Sequence, residues 1–108
     1  MNPNLNTGNK HLHINTNGTV IVPVPANPVG KLILIALVIN TKGASSNTAS
    51  IYDSTQEQGE VAENLKAVLD TTVIPGRFEY NIPIENGIYI EVETGTAPDL
   101  TLIWAETA

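Results

Sequence analysis

Leu32-Ile-Leu-Ile-Ala-Leu-Val-Ile39 is an unbroken run of eight apolar residues. Period alone does not separate helix from strand here, but its β-branched content and the bounding Gly30 and Gly43 make it a strand. It falls far short of the roughly 20 residues that a membrane-spanning helix requires. A half-buried strand shows one apolar face; this one shows two, and both must be covered. In a sandwich one face meets the opposite sheet. The other needs a loop, an arm or a neighbouring subunit, so the strand points to an all-β fold and to self-association or docking.

The rest of the chain carries the same grammar. Thr19-Val-Ile-Val-Pro-Val-Pro25 is extended, and Pro23 and Pro25, which cannot donate to a ladder, place it at a sheet edge. Asn27 to Lys31 is a turn punctuated by Pro28 and Gly30. Thr48 to Asp53 is a strand closed by polar residues 54–59. Val61, Leu65, Val68 and Leu69 have helical spacing, yet Leu65, Ala67 and Leu69 also alternate. Residues 60–72 therefore read as a short helical turn or loop followed by a strand from about Leu65. Phe78, Tyr80 and Ile82 alternate with polar residues, as do Ile88, Ile90 and Val92 beyond Asn86-Gly87, a hairpin-turn signal. Leu100, Leu102 and Trp104 form the last strand. Short strands at this spacing predict a small antiparallel β-sandwich, jelly-roll-like, over residues 19–108. Residues 1–18, rich in Asn with Pro3, read as an extended N-terminal arm, whose Leu12 and Ile14 alternate with His11 and His13 and suit an edge strand.

Charge narrows the partners. Net charge is −6 and the five basic residues, Lys10, Lys31, Lys42, Lys66 and Arg77, are scattered. No cluster neutralises phosphates or anionic lipid, so neither nucleic acid nor membrane is an expected partner. With no cysteine there is no disulfide framework, thiol nucleophile or zinc site. The N-terminus has no signal-peptide pattern.

The search for chemistry yields little. His11 and His13 share a face, but a metal needs further ligands and none is nearby, so no metal or cofactor is expected. Glu91 and Glu93 share a strand face, with Glu79 expected across the hairpin. Paired carboxylates catalyse only where a cleft splits their protonation, and a hairpin face offers no cleft. Tyr52-Asp53-Ser54 lacks a placed histidine. Trp104 lies on the face of Leu100 and Leu102 and reads as core, while Tyr89, opposing Ile88 and Ile90, reads as an exposed interface anchor. No enzyme is expected.

Gly30-Lys-Leu with its apolar strand to Val38-Ile-Asn-Thr, then Ala49-Ser-Ile-Tyr-Asp-Ser, Leu69-Asp-Thr-Thr, Tyr80-Asn-Ile-Pro-Ile, Asn86-Gly-Ile-Tyr-Ile and Gly95-Thr-Ala-Pro-Asp-Leu-Thr-Leu follow one another in order. In this order the chain resembles short β-sandwich virion proteins of tailed bacteriophages, of the capsid decoration or cement type. The resemblance implies a non-enzymatic protein made in the host cytoplasm that binds the outside of the assembled capsid and stabilises it. Its implied partners are the major capsid protein and further copies of itself, as a trimer or dimer. A tail-fibre or host-attachment module that recognises a glycan or receptor is the alternative. Contact candidates are Leu5, Leu12 and Ile14 in the arm, Leu32, Leu34 and Ile35 in the apolar strand, and Tyr89.

Overall fold

The computed structural model describes residues 9–24 and 31–107. Eight strands follow in chain order: β1 (Lys10–Ile14), β2 (Gly18–Pro23), β3 (Lys31–Thr41), β4 (Thr48–Asp53), β5 (Leu65–Asp70), β6 (Gly76–Ile84), β7 (Gly87–Glu93) and β8 (Asp99–Thr107). A 3₁₀ turn, Ala62–Asn64, precedes β5, and no α-helix occurs among the described residues. The chain is an all-β sandwich.

One sheet, A, has the order β1-β8-β3-β6, and the other, B, has β2-β7-β4-β5. Every pairing is antiparallel. Consecutive strands mostly alternate between the sheets, which is the jelly-roll arrangement of two interlocked Greek keys. The inward residues of each strand build one core: Leu32, Leu34, Leu37 and Ile39 of β3 meet Ile51 of β4, Ile88, Ile90 and Val92 of β7, and Leu100, Leu102 and Trp104 of β8. A bulge between Leu34 and Ala36 resets the register of β3 against both neighbours, so Leu34 and Leu37 both face inward.

Several expectations acquire a definite form. The apolar run becomes β3, central in sheet A, where β8 and β6 flank it on both sides. Residues 62–64 turn and β5 starts at Leu65. The sandwich also takes up part of the expected arm: β1 pairs with β8 from Lys10 onward, and Ile14 is 4% exposed. The expected turn at 27–30 lies outside the described residues.

Asn86-Gly87 does not make the expected hairpin. β6 belongs to sheet A and β7 to sheet B, so the chain crosses between sheets here. Asn86 is not among the residues with positive φ. The crossing is held by Asp53, 6% exposed at the end of β4, whose carboxylate accepts from the Glu85 N–H at 3.0 Å and the Asn86 N–H at 2.7 Å. Gly87 has φ +154 and sits so close that a Cβ would meet the Ser54 carbonyl at 2.9 Å. The glycine is thus required by close approach of backbones rather than by a type I′ turn.

The opposite end is tied by Asn47, which is fully buried. Its amide donates to Asn17 Oδ1 and to the Thr94 carbonyl, both at 2.8 Å, and its Oδ1 accepts from the Thr71 hydroxyl at 2.7 Å. One side chain thereby links four connections between strands. Gly43 packs against this knot, where a Cβ would lie 2.6 Å from Thr71 Oγ1.

Candidate functional site: the acidic outer face of sheet B

Alternation fixes what each sheet shows to the outside. In β7 the inward Ile88, Ile90 and Val92 leave Tyr89, Glu91 and Glu93 outward, and registry places them beside Tyr52, Ser50 and Thr48 of β4. On the other side Thr19 and Ile21 of β2 stand opposite Glu91 and Tyr89. Tyr52 and Tyr89 meet edge to face, with ring centroids 5.9 Å apart. That contact covers Tyr89 to 9% exposure.

The carboxylates gather beside this tyrosine pair. Glu60, from the β4–β5 connection, comes close enough to Glu91 and Glu93 for their charges to act on its carboxyl, and the Thr19 hydroxyl donates to Glu91 from the other side. Loss of hydration holds the Glu60 carboxyl above its ordinary range, and the charges of Glu91 and Glu93 add to the effect. The Tyr52 hydroxyl is likewise pushed up, first by lost hydration and then by Glu60, Glu93 and their neighbours. Negative charges crowded this way favour a cationic partner, which relieves their mutual repulsion. Along the same face, Ile21, Pro23, Thr55, Gln56, Glu57 and Asn86 line a half-open cavity of about 350 Å³.

Sequence reasoning grouped Glu91 and Glu93 correctly but placed Glu79 across a hairpin from them. Glu79 instead lies on sheet A, opposite Ala36, and pairs with Arg77. Glu60 was not expected in the cluster, since only the folding of its loop over sheet B brings it there. His11 and His13 lie on β1, where the His13 ring bonds Asp99, whose carboxyl is held below its ordinary range first by that bond and then by the Asn40 amide. No group of three or more metal-ligating side chains occurs among the described residues.

The expected contact residues are largely displaced. Leu32 and Leu34 are completely buried, and Ile14 nearly so, because they face the core. Leu12 packs against that core as well. Tyr89 is on an outer face, as alternation required, yet Tyr52 covers it, so it is not an exposed anchor. Ile35 is half-buried at the β3 bulge, and Leu5 lies outside the described residues. The second apolar side of β3 is half-buried at Ile33, Ile35 and Val38, with Ile103, 5% exposed, opposite Ala36 and Ala105 opposite Ile33. Large apolar side chains are instead exposed at Leu65 and Val68 of β5 and at Val73 and Ile74 just beyond it.

The jelly-roll fold is similar to that in the solved structure of the Drosophila NLP core. The TM-score is 0.61 at 12% identity, over 93% of this chain and 98% of that one. That structure is described in terms of pentamer formation and histone binding. At this identity the likeness establishes the fold. No family model matches the chain, and no curated protein matches it.

These findings correct the role expected from the sequence. Capsid decoration, the tail-fibre or attachment alternative, the major capsid protein as partner and the trimer or dimer are overturned by the structural match, since the Drosophila structure it finds is described in terms of pentamer formation and histone binding and not of a virion. The physical reason is visible in the residues that carried the resemblance. Runs such as Tyr80-Asn-Ile-Pro-Ile and Asn86-Gly-Ile-Tyr-Ile record strand alternation and sheet crossings, which a jelly roll of any function requires.

Proposed function

We propose that this protein is a non-enzymatic acidic binding module that holds Lys- and Arg-rich protein segments, histones among them, on the outer face of sheet B. The observation that carries the reading is the cluster of Glu60, Glu91 and Glu93 around the Tyr52–Tyr89 pair. Carboxylates supply attraction to ammonium and guanidinium groups, and the partly exposed Tyr52 ring accepts the same cations by cation–π contact. The net charge of −6 steers a basic segment toward the protein at long range. The neighbouring cavity adds room for an aliphatic stem, with Ile21 and Pro23 as walls and Glu57 at its rim. The histone binding for which the Drosophila structure is described agrees with this chemistry.

A fluorescence-anisotropy titration with a labelled Lys/Arg-rich histone-tail peptide tests it. Binding should weaken with added salt, and the E60Q/E91Q/E93Q variant should lose about tenfold or more in affinity. Equal affinity of that variant and the wild type would overturn the reading.

A further inference from the structure

We propose that the half-open cavity near the tyrosine pair is a pocket for one lysine side chain of the bound basic segment, taken in its unmodified ammonium form. The stem lies against Ile21 and Pro23, the ammonium meets Glu57, and acetylation of that one lysine excludes it. The inference rests on the reading that sheet B holds basic segments and deepens it: at this point of the surface the protein selects lysine over arginine.

The cavity, about 350 Å³, lies where three parts of the chain meet. Ile21 and Pro23 come from β2, where Ile21 stands opposite Tyr89 and Pro23 opposite Gly87. Thr55, Gln56 and Glu57 come from the connection that follows β4, and Asn86 from the crossing between the sheets. Each of these walls is tied. The Thr55 N–H donates to Gln58 Oε1 and the Gln58 N–H donates back to Thr55 Oγ1, both at 3.1 Å. The Ser54 hydroxyl donates to the Gly59 carbonyl at 2.6 Å, and the Ser54 N–H donates to the Gly87 carbonyl at 2.9 Å. Asp53 holds the Asn86 N–H. A pocket formed before its ligand arrives loses little freedom on binding.

The side chains at the rim take no part in that scaffold. Among the described residues, those of Gln56, Glu57 and Asn86 hold no hydrogen bond or ion pair within the protein. Glu57 is the one charged group of the lining, and Ile21 and Pro23 supply hydrocarbon. Lysine matches this division, since its four-carbon stem packs on apolar surface while its charged head reaches beyond it. The head is a compact ammonium with three donors and no acceptor, which one carboxylate and two amide oxygens can satisfy. Arginine instead carries a planar fork of five donors that favours stacking on an aromatic ring. No aromatic ring is among the described residues that line the cavity, whereas the Tyr52 ring is partly exposed on the open face. Guanidinium groups thus go to the open face and one ammonium to the cavity.

Acetylation turns the ammonium into a neutral amide and removes the charge that Glu57 attracts. A lysine modified elsewhere in the segment loses only its share of the long-range attraction, which salt screens. The pocket makes binding respond to the state of one lysine more than to the net charge of the segment.

Labelled histone-tail peptides test the pocket by fluorescence anisotropy. The parent peptide carries arginine at every basic position, and each of the others replaces one arginine by lysine, position by position. With the wild-type protein, one position should bind lysine about fivefold more tightly than arginine, and acetylating that lysine should remove the whole gain. In E57Q the preference for lysine at that position should fall to about one. E60Q/E91Q/E93Q should weaken every peptide and keep the preference. No preference at any position, with the triple variant still weaker, would overturn the lysine pocket and leave the acidic face standing, as would a preference that survives E57Q. Equal binding of all peptides by the triple variant and the wild type would overturn the reading of the face and the pocket with it.

Discussion

The two ends of the sandwich face the same task, joining strands that belong to different sheets, and meet it with different chemistry. At one end the neutral amide of Asn47, fully buried, fills its hydrogen-bonding capacity with Asn17, Thr94 and Thr71. At the other, the Asp53 carboxylate holds the Glu85 and Asn86 N–H groups beside the long β4–β5 connection and the cavity. That half of the molecule also keeps a buried donor without a partner among the described residues, the Trp104 indole N–H. A satisfied neutral network fixes geometry at no electrostatic cost. A charged tie beside an open cavity suits a region that receives a partner. The cavity and the Tyr52–Tyr89 pair lie toward the second end, whereas Glu91 stands at mid-strand and Glu93 beside Thr48, next to the Asn47 knot.

Replacing Asn47 with Ala breaks the comparison most severely. Three connections lose their partner inside the protein, and unfolding in denaturant should show a loss of about 3 kcal/mol. The fraction that remains folded should bind basic peptide as the wild type does. At the other end Asp53→Ala leaves two backbone donors unpaired and should cost about 2 kcal/mol. Unlike Asn47→Ala, it should also weaken peptide binding, because it frees the connection beside the cavity.

Acidity sharpens the contrast further. The Glu60 carboxyl is held above its ordinary value of 4.5, so the folded state takes up a proton there before the unfolded chain does. As pH falls through that raised value, Glu60 adds stability while the face loses negative charge. Peptide affinity measured from neutral pH downward should therefore fall before the ordinary Glu range is reached, and E60Q should remove that early decline. Asp99 acts with the opposite sign: its lowered value contributes stability above the ordinary Asp range that is lost as pH falls through the lowered value. The smallest effect belongs to Trp104→Phe. Removing an unpaired donor offsets part of the lost packing, and stability should change by no more than about 1 kcal/mol.

Local pattern revealed much of this molecule. The alternations in β6, β7 and β8, the strand from Leu65 and the doubly apolar β3 were all legible, because a two-residue period reports burial directly. Asn86-Gly87 misled because hairpin chemistry and a crossing between sheets call on the same residues, and only Asp53 distinguishes them. The Asn47 knot was invisible, since its partners Asn17, Thr71 and Thr94 are remote in sequence. β3 suggested an exposed apolar face because a sequence does not show which strand stands in the middle of a sheet. Glu91 and Glu93 marked the candidate site, but the contribution of Glu60 depended on how its loop folds.

The most direct test is a titration of the ¹⁵N-labelled protein with a Lys/Arg-rich histone-tail peptide, followed by backbone amide shifts. The account predicts changes concentrated at Thr19, Tyr52, Glu60, Tyr89, Glu91 and Glu93, with the outward residues of sheet A unmoved. Changes centred on the outer face of sheet A, or spectra unaffected by the peptide, would contradict it.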